Sequence, residues 1–322
     1  MRTAYCISAY KDAPQLDRLI GALEGDDTCF IVHVDKRIGD IEPFRRAVAK
    51  HKEARMTTRR YLVQWGSWAQ VRYQQLFLEE ALAAGADRIF IISGQDYPLW
   101  SNDRLHSYCT DNADRAFVCG LDLTALSPPM PPMRRYLELW HPCRDLPIKN
   151  RCLYRAITAG LRTLLRVLPF RRKPYLTVDG CTWHVWQASA YLSVNRRQAQ
   201  YIVDRLRDRR ITDYFRHCFV PEELTIPTII FNSPFRDKAQ VYGRRAYDGI
   251  ASLSATHYFY YSGSIRVLTT ADLPTLLASG RMFCRKVAGG ISDDLMDEID
   301  RQREQATMDS LQMTVADNGH NG

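Results

Sequence analysis

The chain has 322 residues, 46% of them apolar and 25% charged, which excludes collagen-like, coiled-coil and broadly disordered chains and leaves enough material for a sizeable core. The formal charge is +8, but the segment from Arg134 to Lys173 alone holds eleven Lys/Arg against two acids. The remainder is therefore close to neutral. That distribution argues against nucleic acid bound over the whole surface and for one local anionic contact.

No run of about 18 apolar residues occurs, so no transmembrane helix is expected. The opening MRTAYCISAY reads as a strand rather than a secretory signal. The nine cysteines are scattered, form no CxxC pair and have no zinc-like spacing with histidine. Cys6, Cys29 and Cys119 sit in apolar runs and read as small buried hydrophobes. This usage suits a reducing compartment, so a cytoplasmic protein is expected, peripheral at the inner face of the membrane at most.

In chain order, 3–9 predicts a strand and 13–24 a helix, with Asp12 as N-cap and Pro14 in the first turn. Strands follow at 28–35 and 59–64. Ser67 is placed to cap a long helix to about residue 84, where Gly85 stops it. A short buried strand is expected at 88–93, a helix capped by Ser101 to about 110, and a strand at 115–119. This alternation predicts an α/β fold with a mostly parallel sheet and helices on both faces, ligands binding at the carboxyl ends of the strands.

Residues 121–175 break the rhythm. Pro128 to Met133 reads as a rigid extended stretch. A helix is expected from Arg151 to Leu168, stopped by Pro169, with Leu153, Tyr154, Ile157, Leu161, Leu164, Leu165 and Leu168 on one face. Arg155, Arg162 and Arg166 fall on the other. The ordinary expectation is that the apolar face packs on the domain; the alternative is a helix lying on an anionic membrane through 150–173. Mixed structure resumes over 176–287, and a last helix capped by Ser292 runs to about 306 before a frayed, disordered tail. The expected organisation is one domain over 1–290, divided into a nucleotide-binding half (1–120), a basic helical insert (121–175) and an acceptor and catalytic half (176–290), then 291–322 as helix and tail.

Several residues stand out chemically. Asp35 ends the second strand, where a carboxylate can accept bonds from base or ribose hydroxyls. Asp96, in Ser93-Gly94-Gln95-Asp96-Tyr97-Pro98, is a lone carboxylate and a poor divalent-metal site. Arg266 and Lys286 are cations that could meet a phosphate. Glu222 and Glu223 open a predicted helix, where acids are favoured by the dipole whatever their function.

Six segments in order carry a resemblance: AYCISAYKDAPQLDRLI (4–20), FIVHVDKR (30–37), WGSWAQVRYQQLFLEEAL (65–82), IISGQDYPLWSNDRL (91–105), VPEELTIPTIIFNSP (220–234) and IRVLTTADLPTLLASGRMFCRKV (265–287). Together they resemble the Core-2/I-branching β-1,6-N-acetylglucosaminyltransferases and the peptide O-xylosyltransferases. The resemblance implies a variant GT-A fold and an inverting transfer of GlcNAc or xylose from a UDP-sugar to a hydroxyl of a glycan or glycolipid acceptor. It implies neither a cofactor nor a required metal.

By that resemblance Asp35, Gln64, Trp65 and Gly66 meet the nucleotide, and Arg266 and Lys286 hold the diphosphate. The interval before Asp272-Leu273 is three residues shorter than in the family, so Arg281 and Arg285 stand as substitutes for Arg266. The Pro-x-Glu pattern followed by Asn232-Ser233-Pro234 selects Glu223 over Glu222 as general base. Asp96, Gly180 and Trp183 are implied to line the donor and acceptor cleft, although Gly180-Cys181-Thr182-Trp183 departs from the family's Gly-Ser-x-Trp. Either Trp183 or Tyr191 can take the aromatic place, and Trp183 and Trp186 are candidates for stacking on a sugar ring. A non-catalytic docking module on the same fold and a metal-dependent nucleotidyltransferase are the competing readings.

Overall fold

The computed structural model describes residues 1–125, 131–142, 145–146, 148, 150–167, 170–243, 247 and 249–319. Its centre is a five-stranded sheet of β1 (Thr3–Ala9), β2 (Thr28–Val34), β3 (Ala54–Met56), β4 (Arg88–Ser93) and β10 (Leu192–Asn195), in the order β10-β4-β1-β2-β3. Only β10 runs antiparallel. The inner strands are apolar at nearly every position because both faces are covered. Ala4, Cys6, Ile31, Ile89 and Ile91 point to one face, against α3 (Trp68–Ala83) and α7 (Arg196–Arg205). Tyr5, Ile7, Phe30, Val32 and Phe90 point to the other, against α1 (Ala13–Leu23) and α11 (Asp293–Gly319). This is the α/β architecture with a mostly parallel central sheet that the sequence predicts.

Smaller sheets extend it. One joins β5 (Asp96–Pro98), β12 (His257–Phe259) and β13 (Phe283–Arg285); another joins β6 (Cys119–Asp122), β9 (Trp186–Gln187) and β11 (Gln240–Val241); β7 (Tyr175–Val178) and β8 (Cys181–His184) form a hairpin. The remaining helices are α2 (Glu42–Ala49), α4 (Asn102–Asp111), α5 (Pro131–Leu137), α6 (Arg151–Val167), α8 (Arg209–Arg216), α9 (Thr225–Phe231) and α10 (Leu273–Ala278). Among the described residues no helix is long and apolar enough to cross a membrane.

Asp12 and Ser101 cap their helices as expected, accepting the N–H groups of Gln15 and Arg104. Ser67 does not: its hydroxyl makes no cap bond, and Asp145 accepts the Ala69 N–H instead at 2.8 Å. The segment 59–64 is not a strand; the third strand is Ala54–Met56. Arg60 reaches back to the carbonyls of Val34, Asp35 and Ile38, and Tyr61 N–H donates to His33, so side chains hold this extended loop in place of a ladder. The strand expected at 115–119 falls at 119–122. The expected extended stretch from Pro128 becomes helix from Pro131, residues 128–130 lying outside the described residues. The last helix runs to Gly319 rather than to 306, against the expected disordered tail; residues 320–322 are outside the description.

The apolar face of α6 also contradicts the ordinary expectation. Most of it stays in solvent: among the described residues of the helix only Thr158 is buried, Tyr154 and Leu165 are half-buried, and Leu153, Ile157, Leu161 and Leu164 are exposed. The expected stop at Leu168-Pro169 lies outside the described residues.

Candidate functional site

The parallel register aligns Ala9 with Val34 and Ser8 with Ser93, so three strands end side by side. Their carboxyl ends open on a cavity of about 270 Å³, bordered by Tyr10, Asp35, Arg37, Trp65, Tyr191 and Arg285, among others. This is where a parallel sheet leaves room for a ligand.

Asp35 is buried, and its carboxylate accepts from the Arg37 backbone N–H at 2.9 Å, from Val63 N–H at 3.3 Å and from the Arg37 guanidinium at 2.6 and 2.9 Å. The acid is thus held rigid, and Arg37, which the sequence reading missed, stands beside it on the cavity wall. His33 accepts the Tyr61 N–H through Nε2 at 2.9 Å, which requires an unprotonated nitrogen. Burial first, then Arg60, pushes its pKa down to about 4 against the pull of Asp35. The neutral ring stacks between Tyr61 and Tyr73 and fixes the loop that carries Trp65 to the cavity. Trp65 is 65% exposed, and its ring meets Phe219 edge-on at 5.4 Å. Gly66 follows with φ 64°, a turn that favours glycine, and Gln64 supplies the carbonyl that closes it through Ser67 N–H. Gln64 and Gly66 shape the loop and are not among the residues bordering the cavity.

Arg285 is the cation at the centre. Its Nη1 donates to Asp96 at 2.6 Å, its guanidinium lies 4.5 Å from the Tyr191 ring centroid, and among the described residues its buried Nε has no hydrogen-bond partner. Asp96 is fully buried and accepts from Ser93 N–H at 2.7 Å and from His257 at 3.0 Å. Burial alone would raise its pKa; Arg285 and His257 outweigh that and hold it below the ordinary value, so His257 Nε2 must be the donor. Burial likewise works against the charge of Arg285, but Tyr191 and Asp96 keep it above its usual pKa. Asp96 therefore braces Arg285 from behind and does not line the cleft, which corrects the expected role. Of the two aromatic candidates, Tyr191 borders the cavity, beside Tyr10, Trp65 and Tyr73, and Trp183 does not.

Lys286 is half-buried, and burial, then the charges of Lys11 and Arg285, pushes its pKa down. Among the described residues neither Lys11 nor Lys286 has a carboxylate within ion-pair reach. Three cations gathered with one acid between them favour an anion. Arg266 does not join them: it is exposed, and both its Nη atoms donate to Asp272. The backbone links the two segments, Leu268 N–H donating to the Lys286 carbonyl at 2.9 Å, but the guanidinium is committed elsewhere. Arg281 donates to the Ala255 carbonyl at 3.1 Å, and of the two substitutes Arg285 is the one that borders the cavity.

Glu222 and Glu223 occupy one 3₁₀ turn ahead of α9. Glu222 is buried, accepts from Gln70, and its charge is felt by Tyr73 and Tyr191, all three on the cavity wall. Glu223 turns the other way, partly open, where Gln187 donates to it at 2.9 Å. Desolvation raises its pKa to about 7, against smaller pulls from Gln187 and Arg135. It does not line the cavity with Asp35 and Arg285; the two are bridged by Trp65, Phe219 and Arg135, whose guanidinium lies 4.5 Å from the Phe219 ring centroid. α9 fixes this turn: Phe231 stacks on Trp186 at 4.2 Å, and a Cβ on Gly120 would come within 2.1 Å of the Phe231 ring. Asn232 pins β8 by exchanging bonds with His184.

Gly180 and Trp183 leave the cleft. Gly180 is exposed at the tip of the β7–β8 hairpin with φ 78°, next to Asp179, which pairs with Arg205 and Arg210. Trp183 and Trp186 are buried in the core and stack on no open surface.

The site is thus an anion-favouring cavity at the strand ends of a parallel α/β sheet. Residues 3–122 match the family model described as Core-2/I-Branching enzyme. No curated protein matches the chain. Among solved structures it is similar to a Bacillus anthracis chain described as a "Putative Glucose-1-Phosphate Thymidylyltransferase" in complex with a sucrose, at 13% identity over 75% of this chain and 86% of that one, TM-score 0.32. It is also similar to mannose-1-phosphate geranyltransferase from Thermus thermophilus, at 11% identity over 63% of this chain and 54% of that one, TM-score 0.23. Overlaps this loose add nothing to the reading of the site.

Proposed function

We propose that the protein is an inverting glycosyltransferase that moves a sugar, GlcNAc or xylose, from a UDP donor to a hydroxyl of a glycan or glycolipid, without a metal. The observation that carries this reading is the braced guanidinium of Arg285 in the cavity beside Asp35. Asp35 and Trp65 take the nucleoside, and Arg285, Lys286 and Lys11 meet the diphosphate. Fixed cations in a partly desolvated site stabilise the charge that develops on the leaving group.

Glu223 is the general base. It takes the proton of the acceptor hydroxyl as that oxygen forms its bond to the anomeric carbon; the bond from that carbon to the diphosphate breaks, and UDP leaves with the electron pair. A carboxylate whose pKa is raised to about 7 suits that task near neutral pH. The test is a panel of UDP-sugars, with and without chelator, scoring UDP release. Glu223→Gln should lower turnover about 10²- to 10⁴-fold while leaving UDP binding intact, and Glu222→Gln should leave turnover within about tenfold. No UDP release from any donor, or a loss confined to Glu222→Gln, would overturn the assignment.

A further inference from the structure

α6 turns toward solvent the face that a globular helix normally turns inward. Asn150 caps it, accepting the N–H groups of Cys152 and Leu153 at 3.0 Å. Of its apolar residues Leu153 is 52% and Leu164 55% exposed, and Ile157 and Leu161 are each more than a third exposed. Val167 at 73% and Phe170 at 69% continue the exposed surface past the helix end. Such a contiguous apolar stripe marks an interaction surface.

The charge beside it is one-sided. Between Arg151 and Lys173 there are seven Lys/Arg and no Asp or Glu. Arg151, Arg155 and Arg166 are exposed along the helix. Arg172 is different: it is buried and donates to the Tyr214 carbonyl at 2.7 Å and to Cys218 Sγ at 2.8 Å, which anchors the end of the segment. On either side of this anchor, Arg171 and Lys173 border a cavity of about 430 Å³ with Trp140, Tyr175, Asp213 and Tyr214 on its wall.

We propose that α6, Phe170 and this basic cavity form a docking surface for an anionic lipid bilayer. The apolar stripe lies at the boundary of headgroups and acyl chains, and the arginine side chains reach up to lipid phosphates. The cavity takes a headgroup phosphate between Arg171 and Lys173, with Trp140 and Tyr175 at the depth where aromatic rings are favoured. Charge selects this occupant. A bilayer with anionic lipid supplies apolar and negative surface together, each nearby Lys or Arg adding to the attraction. A second copy of the chain would bring two sets of positive charge together with no acid of this segment between them. The proposal is independent of the transferase reading.

Co-sedimentation of the full chain with vesicles tests it, comparing phosphatidylcholine alone with two parts phosphatidylcholine to one part phosphatidylglycerol. The protein should pellet with the anionic vesicles, stay in solution with the neutral ones, and be released as salt is raised. The combined variant Ile157→Ser, Leu161→Ser, Leu164→Ser should stay in solution, and Arg155→Ser with Arg166→Ser should bind about tenfold more weakly. These positions are exposed, so the thermal midpoint and the far-ultraviolet circular dichroism should be unchanged and would show that folding is intact. Wild-type protein left in solution with anionic vesicles overturns the proposal, as does equal pelleting of the serine variant. A wild-type dimer in sedimentation velocity that the serine variant dissolves, without vesicle binding, assigns the stripe to a second copy instead.

Discussion

The cavity at the strand ends and the helix α6 put arginine to opposite uses. Arg285 is buried, braced by Asp96 and stacked on Tyr191, with its Nε unpartnered among the described residues. The exposed arginines of α6 lie on a helix whose apolar stripe is exposed as well. A buried cation is held by its partners and has one orientation, so it can be aimed at one group. An exposed cation beside open apolar surface is aimed at nothing in particular and suits a broad, fluid partner. Substitutions in the two regions should therefore differ in size and in kind.

The largest effect is expected at the brace. Asp96→Asn removes the charge that compensates Arg285 and should destabilise the fold by about 3–5 kcal/mol, measured by denaturant unfolding. If it costs no more than a surface substitution, the contrast between the two regions fails. Next comes Arg285→Gln, which keeps a polar side chain but removes the cation. It should weaken UDP binding about tenfold to a hundredfold by calorimetry, the loss of one charge-assisted contact. Unchanged affinity would move the diphosphate away from this cavity.

Why these two residues were not both legible in the sequence is instructive. The strands at 3–9, 28–34 and 88–93 announce themselves because burial on both faces demands continuous apolar runs. Asp35 follows from that frame, since strand ends are where ligands sit, whereas Trp65 comes only with the family resemblance. Asp96 is visible as a lone acid, but its partners are not: His257 lies 161 residues away, and Arg285 looks like any other cation until the fold buries it. Arg266 is the converse, an expected ligand captured by Asp272 six residues on. The strand predicted at 59–64 has the right residues for a sheet edge, but Arg60 and His33 hold it by side-chain bonds. α6 was legible as an amphipathic helix; its orientation was not, because periodicity shows which residues share a face and says nothing of what that face meets.

A smaller effect should come from pH at Glu223, whose environment lies between the two extremes, partly open yet desolvated enough to raise its pKa to about 7. Below its ordinary value of 4.5 the group is protonated in folded and unfolded chains alike. As pH rises from there toward 7, the unfolded chain releases its proton while the folded chain keeps it, so stability should fall across this window and level off above it. The loss is at most about 3 kcal/mol, less where solvent reaches the side chain. Glu223→Gln should abolish this slope and melt higher than wild type at pH 8, even as turnover is lost. Turnover of the wild type should rise through the same pH region, as a base that must be ionised requires. A wild-type melting curve that is flat across this window, matching that of the variant, would mean the carboxylate is solvated and ordinary.

The smallest effect belongs to the exposed arginines. Arg155→Ser with Arg166→Ser removes two charges from a segment with no acid of its own, so no pair within it is broken and no buried group is orphaned. The unfolding free energy should stay within about 0.5 kcal/mol of wild type, at low and at high salt, in denaturant titrations. Relief of like-charge crowding would, if anything, raise stability at low salt, because screening then contributes least. A destabilisation comparable to that of Asp96→Asn would mean that these side chains hold the fold as Arg285 does, and the distinction between an aimed cation and a spread one would have to be given up.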